Sequence, residues 1–166
     1  LVAERGRAPR RRVARDALLA LSELAAYSAE VLPDAIADAA ALCAGALTGG
    51  GKVLACGNGG SAGDAAHFVA ELIGRMRVER APLAAVSLGV DPSVVTCIAN
   101  DFGYEELFAR QVRGLGGPGD ALVALSTSGR SENVLRALEA ARAGGLRTVA
   151  LTGAGGDARL WPCDAL

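Results

Sequence analysis

The segment from Val53 to Arg75, VLACGNGGSAGDAAHFVAELIGR, indicates the architecture of this chain more directly than any other. Its apolar start, Val53 to Cys56, predicts a buried strand, the glycine-rich run after it predicts a turn, and a helical pattern begins near Ser61. Glycine allows the backbone to approach a ligand closely, and the free N–H groups at a helix start favour an anion. The turn is therefore a candidate cradle for a phosphate or a sugar oxygen, although it lacks the lysine of a Walker loop and the spacing of a dinucleotide loop.

Two residues of the helix after this turn are candidates for chemistry. His67 and Glu71 are separated by four positions, so they lie on one helical face, about one turn apart. A solvated carboxylate beside a structural histidine is the commoner origin of such spacing, and a functional pair is the alternative. His67 is the only histidine in the chain, which excludes an all-histidine metal site within this sequence.

Helical and strand patterns alternate along the whole chain. Short apolar segments between helical segments of about ten to fifteen residues indicate a parallel sheet with helices on both faces, the doubly wound α/β class. Two helices precede the first strand, and ligands of such sheets bind beyond the carboxyl ends of the strands. The predicted helices are 13–32, 33–47, 105–115 and 131–143, with a further helix starting at 91–93, and the predicted strands after the first are 83–88, 121–125 and 148–151.

Composition excludes several classes of protein. The chain has 166 residues, of which 51% are hydrophobic, and a net charge of −1, which fits one α/β domain and gives no attraction to nucleic acid. No apolar run is long enough to cross a membrane and no signal peptide is recognisable, so we expect a cytoplasmic protein that binds neither membrane nor nucleic acid. Residues 1–12 are rich in arginine and are expected to form a basic flexible tail, and residues 13–166 to form a single domain. Cys43, Cys56 and Cys97 are expected to be small buried thiols.

The turn after the third predicted strand, Ser126-Thr127-Ser128-Gly129-Arg130-Ser131, carries a second functional pattern. Its hydroxyl groups, and the N–H groups of the helix that starts there, can bind a phosphate dianion without lysine. An N-cap role for Ser131 is the alternative, and the two roles are compatible because a capping serine lies where a phosphate would bind.

Four segments together resemble the sugar isomerase (SIS) domain family and, within it, the phosphoheptose isomerases. They are GNGGSAGDAAHFVAELIGR, IANDFGYEELFARQV, GDALVALSTSGRSENVLRALEAAR and VALTG, which occur in this order. The resemblance implies a flavodoxin-like three-layer αβα fold with a five-stranded parallel sheet, assembled as a homotetramer whose active sites lie between subunits. It also implies an aldose–ketose isomerase that converts sedoheptulose 7-phosphate to D-glycero-D-manno-heptose 7-phosphate through an enediol, at the start of nucleotide-activated heptose synthesis.

The resemblance assigns roles to residues at matching positions. Glu71 would be the acid/base carboxylate, and His67 and Glu71 would supply two ligands of a zinc ion. The remaining zinc ligands and a second catalytic group are expected beyond Leu166, because the family's last strand and helix have no counterpart in this sequence. The residues that would bind the sugar phosphate are Asn58, Gly59, Ser61, Arg75, Asn100 and Asp101 around the sugar, and Ser126, Thr127, Ser128 and Ser131 at the phosphate.

Two non-enzymatic SIS proteins are alternatives to the isomerase. One is a tetrameric SIS regulator that binds the replication initiator DnaA, and the other is a sugar-phosphate-sensing SIS module of a transcription factor. The regulator lacks a carboxylate at the position of Glu71, and no helix-turn-helix pattern precedes the SIS pattern in this sequence. Both observations favour the isomerase.

Overall fold

The alternating apolar segments form an all-parallel sheet in the computed structural model, which describes residues 7–153, 155–157, 160 and 162–166. Within these residues the spatial strand order is β2-β1-β3-β4. Leu54 pairs in parallel with Val86 and Leu122, and Val123 pairs in parallel with Val149. The predicted doubly wound α/β class is confirmed. The strands are β1 (Val53–Gly57), β2 (Ala85–Ser87), β3 (Ala121–Ser126) and β4 (Arg147–Thr152).

Helices from residue 39 onward cover both faces of this sheet. The helices of the chain are α1 (Arg7–Val31), α2 (Pro33–Thr48), α3 (Gly60–Ile73), α4 (Pro92–Phe102), α5 (Leu107–Leu115) and α6 (Glu132–Ala143), with a short 3-10 helix at Tyr104–Glu106. Successive side chains of β1 point to opposite faces, so Leu54 and Cys56 pack with α4, α5 and α6. Val53 and Ala55 face the other layer, which contains α3 and the part of α2 from Ala39 onward.

The start of α4 shows how the sequence sets a helix boundary. The Asp91 carboxylate accepts hydrogen bonds from the backbone N–H groups of Ser93 (2.8 Å) and Val94 (3.3 Å), and Pro92 lies in the first turn. This N-cap satisfies N–H groups that have no partner inside the helix, and proline lacks the N–H that would otherwise need one. The helix start predicted at 91–93 is confirmed.

The N-terminal helix begins earlier than the sequence predicts. α1 starts at Arg7, whereas the sequence predicts the first helix from residue 13, so residues 7–12 are helical. The flexibility of the basic segment stays a prediction. Residues 1–6 lie outside the described residues. Arginine is a good helix former and Pro9 is tolerated in the first turn, which explains how the helix extends through the basic segment.

The chain divides into two compact units, residues 1–37 and 38–166. The sequence predicts a single domain from residue 13 onward and gives no sign of this division. Among the described residues, no single helix is long and apolar enough to cross a membrane. α1 and α2 reach the necessary length and composition only as a pair that is interrupted at Leu32.

The C-terminal residues lie beside β4. Ala165 forms a parallel bridge with Val149, supported by hydrogen bonds from Ala150 N to Ala165 O (3.0 Å) and from Ala165 N to Thr148 O (3.1 Å). The Asp164 carboxylate accepts hydrogen bonds from the backbone N–H (2.8 Å) and the hydroxyl (2.9 Å) of Thr148. Ala165 therefore occupies the position of a fifth parallel strand, although the sheet among the described residues has four strands where the resemblance implies five.

Asp120 joins the amino-terminal ends of β1 and β3. Its carboxylate accepts hydrogen bonds from the Lys52 ammonium (2.6 Å), the Lys52 backbone N–H (2.9 Å) and the Gly117 N–H (3.0 Å), and the residue is only 4% exposed. Burial by itself would raise the pKa of Asp120, but the hydrogen bonds from Lys52 and Gly117 outweigh burial and hold the pKa below its usual range. The ionised carboxylate therefore ties the two strands together.

We expect Asp120→Asn to lower the free energy of unfolding near neutral pH by about 1.5–3 kcal/mol, because hydrogen bonds to a buried charge are lost. The folded-state pKa lies below the unfolded value, so this stabilisation is complete above the unfolded pKa and disappears as the pH falls through the folded pKa. Urea titrations of both proteins from about pH 7 to pH 2 measure the difference. The same change at the exposed Asp38 is the control and should have little effect. A difference that persists unchanged at the acid end contradicts the role of the ionised carboxylate.

Candidate active site

The start of α3 and the turn after β3 lie at the carboxyl edge of the sheet, where they line an open cavity of about 290 Å³. Ser61 and Asp64 of α3 lie at this cavity together with Ser126 and Thr127. Because β1 and β3 are neighbours in a parallel sheet, residues far apart in the chain share this edge. The rest of the lining comes from β3, β4 and the turn that follows β4, through Leu125, Leu151, Thr152 and Gly153.

The turn between β1 and α3 requires glycine at two positions. A Cβ atom on Gly57 would lie 2.6 Å from the backbone oxygen of Ser61, and Gly59 has a positive φ of 55°. A side chain would clash at the first position and strain the backbone at the second, so glycine allows the strand to turn directly into the helix. Gly59 is the N-cap of α3, and the N–H groups of the first helical turn consequently lie at the edge of the cavity.

The hydroxyl groups after β3 form a cluster that we call the hydroxyl cradle, defined as Ser126, Thr127, Ser128 and Ser131. The buried Ser126 Oγ donates to Ser131 Oγ over 3.3 Å. Ser131 occupies the N-cap position of α6, but its side chain makes no capping hydrogen bond, which favours the ligand-binding role over the capping role. Ser128 Oγ accepts the N–H of Arg130 (3.2 Å), so this hydroxyl shapes the turn and keeps its own hydrogen for a ligand.

His67 and Glu71 do not belong to the described lining of this cavity. They lie together on α3, with His67 Nε2 3.4 Å from Glu71 Oε1, and the side chains are 78% and 34% exposed. Glu71 follows Ser61 by ten residues, which corresponds to about 15 Å of helix rise. One chain therefore does not bring the predicted base into the cavity that holds the predicted phosphate ligands.

The separation of His67 and Glu71 suits a shared metal ion. Two ligand atoms on a tetrahedral zinc ion, each at about 2.0–2.1 Å, are about 3.3–3.4 Å apart, which agrees with the spacing of these two side chains. Among the described residues, no group of three His, Cys, Asp or Glu side chains is placed to hold a metal ion. The pair thus fits half of a four-coordinate zinc site.

Three other predicted site residues are exposed and paired with neighbours. Arg75 follows α3 and forms an ion pair with Glu79 at 3.1 Å. Asn100 Nδ2 donates to Asp101 Oδ1 at 2.7 Å near the end of α4. None of the three is in the described lining of the cavity, and their contact with a sugar stays a prediction.

The structure identifies Asn133 and Tyr104 as residues of this region that the sequence analysis did not single out. The Asn58 carboxamide pairs with that of Asn133 on α6 and accepts a hydrogen bond from the Tyr104 hydroxyl. Asn133 lies on the buried face of α6 with Ala137 and Ala141, which follow it at intervals of four residues. A polar residue in an otherwise apolar helical series is the sequence signal that marks Asn133.

The thiol next to the glycine turn is chemically inert. Burial raises the pKa of Cys56 to about 12, so it is not a nucleophile near neutral pH. Cys56 is buried as the sequence predicts and Cys43 is half-buried, but the prediction is wrong for the exposed Cys97. Val95 and Ile98 of α4 pack on the core, and Cys97, two residues after Val95, lies on nearly the opposite side of the helix from it.

Comparisons with known proteins find similar sequences and similar structures. The family model described as SIS domain matches residues 18–153. Phosphoheptose isomerases from Shewanella sp. (strain ANA-3) and Shewanella baltica (strain OS155) are each 55% identical over 131 residues, which is 79% of this chain and 66% of the relative. The chain thus spans slightly less than two thirds of the length of these relatives.

Two solved structures resemble this one closely. A phosphoheptose isomerase from Francisella tularensis superposes with a TM-score of 0.88 at 37% identity, over 93% of this chain and 82% of that chain. A phosphoheptose isomerase from Neisseria gonorrhoeae gives a TM-score of 0.82 at 44% identity, over 93% of this chain and 80% of that chain.

Proposed function

The chain belongs to the SIS domain family, and from this premise we propose that it is an aldose–ketose isomerase that converts sedoheptulose 7-phosphate to D-glycero-D-manno-heptose 7-phosphate. The observation that carries the proposal is the hydroxyl cradle, in which Ser126 lines the cavity, its hydroxyl donates to the Ser131 hydroxyl, and Ser131 makes no capping hydrogen bond. The 55% identity to proteins named phosphoheptose isomerase supports this choice of substrate.

The hydroxyl cradle offers the donors that a phosphate dianion needs. Hydroxyl groups donate to the charged oxygens, and the N-terminus of α6 adds backbone N–H groups and the positive end of the helix dipole. Hydrogen bonds to an ionised group are shorter and stronger than those between neutral groups. The phosphate end therefore anchors the substrate while the carbonyl end reacts.

The reaction moves a proton between two neighbouring carbons. A base removes the proton from C1 of the ketose, an enediol forms, and a proton is returned to C2 to give the aldose. Glu71 is the proposed base, because a carboxylate can take a proton from carbon and return it. A donor or a cation near the carbonyl must stabilise the oxyanion that develops.

We propose His67 and Glu71 as two ligands of a zinc ion, on the strength of their 3.4 Å separation. When bound, zinc supplies Lewis-acid stabilisation of a developing oxyanion. A carboxylate bound to zinc is a weaker base than a free one, so the two proposed roles of Glu71 compete and lead to different experimental results.

The distance between Glu71 and the hydroxyl cradle supports a homotetramer with shared active sites. Since Glu71 lies outside the cavity that the cradle lines, the base for one bound substrate is proposed to come from a second copy of the chain. α1 offers an apolar surface for contact between copies, because large exposed apolar patches mark interaction sites. Its exposed apolar side chains include Val13, Leu18, Leu19, Leu21, Leu24, Tyr27 and Val31.

Light scattering at micromolar concentration should give a mass four times the chain mass of 16.7 kDa. Leu21→Glu should lower this mass, because Leu21 is 61% exposed on α1 and a charge placed in an apolar interface is strongly unfavourable. Leu115→Glu is the matched control, since Leu115 is an exposed leucine of α5 outside this surface. A monomer mass for the unmodified chain contradicts the tetramer.

The proposed reaction is tested by incubating the full-length protein with sedoheptulose 7-phosphate in deuterated water. We expect the aldose product with deuterium at C2, because the enediol takes its new proton from a base that exchanges with solvent. Fructose 6-phosphate is the control substrate and should react more slowly. Binding of the heptose phosphate without any turnover would favour the non-catalytic SIS alternatives.

A further inference from the structure

A pair of asparagine side chains connects the two turns of the site. Asn58, directly after β1, donates from Nδ2 to Asn133 Oδ1 at 2.8 Å, and Asn133 donates from Nδ2 to Asn58 Oδ1 at 2.9 Å. Two hydrogen bonds between the same two amide groups fix both their distance and their relative orientation. Asn133 lies two residues after Ser131, so the pair joins the glycine turn to the hydroxyl cradle.

Burial makes this connection rigid. Asn133 is 2% exposed. If a buried amide loses its hydrogen-bond partner, the folded state is destabilised by the full desolvation free energy of that amide. Its neighbours Val134 and Leu135 pack in the core together with Leu54 of β1. Asn133 is therefore held by the core, and it holds the half-buried Asn58 at a fixed place beyond the end of β1.

Tyr104 adds a third hydrogen bond, to the oxygen of the Asn58 carboxamide. Its hydroxyl donates to Asn58 Oδ1 at 3.0 Å. A carboxamide oxygen has two lone pairs, so Asn133 and Tyr104 together fill the acceptor capacity of Asn58. Asn133 also accepts one of the two Nδ2 hydrogens, and the other has no acceptor among the described residues. The Asn58 carboxamide can therefore form a hydrogen bond to a ligand only as a donor, through one N–H of Nδ2.

We propose that Asn133 and Tyr104 are positioning residues that hold the Asn58 carboxamide so that its remaining N–H donates to an oxygen of the bound sugar. This inference rests on the proposed function, because it names the part of the substrate that Asn58 contacts. Hydrogen bonds accepted by Oδ1 polarise the amide and strengthen its N–H as a donor. The fixed link between Asn58 and α6 sets the distance from that donor to the phosphate in the hydroxyl cradle.

Tyr104→Phe is the most selective test, because it removes one hydroxyl from an exposed side chain. We expect kcat/KM and the affinity for sedoheptulose 7-phosphate to fall about 3- to 10-fold, the effect of one neutral hydrogen bond, with an unchanged melting temperature. The affinity for inorganic phosphate, which occupies only the hydroxyl cradle, should not change. Thr96→Val is the control, because it also removes one hydroxyl from an exposed side chain and should alter neither affinity.

A double-mutant cycle separates positioning from direct contact of Tyr104 with the sugar. If Tyr104 acts through Asn58, Tyr104→Phe should have no further effect in an Asn58→Ala background. An equal effect in both backgrounds contradicts the proposal. Asn133→Ala should likewise weaken sugar-phosphate binding more than phosphate binding. The melting temperature of Asn133→Ala is measured in parallel because Asn133 is buried. If Asn133→Ala does not fold, the binding measurements on Tyr104→Phe test the positioning role.

The binding measurements keep the two proposals apart. If the unmodified full-length protein binds sedoheptulose 7-phosphate without turnover, and Tyr104→Phe weakens that binding but not phosphate binding, the proposed reaction is wrong and the positioning role stands. If turnover is present and Tyr104→Phe changes neither kcat/KM nor affinity, the positioning role is wrong and the reaction stands.

Discussion

Glu71→Gln should lower kcat by about 10²- to 10⁴-fold while the KM for sedoheptulose 7-phosphate changes little. The amide keeps the shape and much of the hydrogen bonding of the carboxylate but has no basicity, so binding survives and proton transfer does not. The measurement is the rate of aldose formation at saturating substrate. Glu23→Gln, at an exposed position of α1, is the matched control and should leave kcat unchanged.

Zinc titration separates the two proposed roles of Glu71. If Glu71 serves only as a metal ligand, added zinc should partly restore the Glu71→Gln variant, because an amide oxygen remains a weak ligand. If Glu71 is the base, zinc should not restore turnover. Turnover near that of the unmodified chain would exclude both roles and favour a binding protein.

Replacing Ser126 and Ser131 together by Ala should raise the KM for sedoheptulose 7-phosphate by about 30-fold or more. Each serine lost removes a charge-assisted hydrogen bond of roughly 1–3 kcal/mol from the bound phosphate. Folding should be affected far less, since among the described residues the two hydroxyl groups make one long hydrogen bond, of 3.3 Å, with each other. Steady-state kinetics and thermal melting measure the two effects separately.

The control for this variant is the removal of two hydroxyl groups elsewhere. Ser22 and Ser93 are exposed on α1 and α4, and their joint replacement by Ala should leave KM unchanged. An unaltered KM in the Ser126→Ala/Ser131→Ala variant, or a phosphate bound away from these residues in a soaked crystal, would show that the phosphate site lies elsewhere.

Mixed oligomers test whether the base and the cradle act across subunits. Glu71→Gln chains and Ser126→Ala/Ser131→Ala chains should each be nearly inactive alone. Coexpressed, they should recover activity, because some sites then combine an intact cradle from one chain with an intact Glu71 from another. Absence of recovery in oligomers shown to contain both chains contradicts the shared site.

Local patterns were sufficient to predict most of the fold. The period of apolar residues distinguishes strands from helices, Asp91 and Pro92 mark the start of α4, and Gly57 and Gly59 mark a strand-to-helix turn. These signals depend on a few neighbouring residues. The start of the first helix was predicted too late, because an arginine-rich composition alone does not distinguish a tail from a helix. The segment from Arg7 is helical.

The candidate site was predictable only in part. The turns at Gly57–Ser61 and Ser126–Ser131 were identified because parallel sheets place such turns at one edge. The pairing of Asn58 with Asn133 was not identified, since the two residues are separated by 75 positions and belong to different elements. Asn58 was expected to line the sugar site, and the structure adds that one N–H of its carboxamide has no acceptor among the described residues.

Local sequence patterns were enough to predict the doubly wound sheet, the glycine turn before α3 and the hydroxyl cradle before α6. These features follow from residue periodicity, backbone freedom and helix capping, which act over a few residues. The absence of a capping hydrogen bond at Ser131, and the position of Glu71 outside the described cavity lining, became visible in the folded structure. The helical period of 3.6 residues determines which residues share a face, but the distance from that face to another element depends on how the helix packs against the sheet.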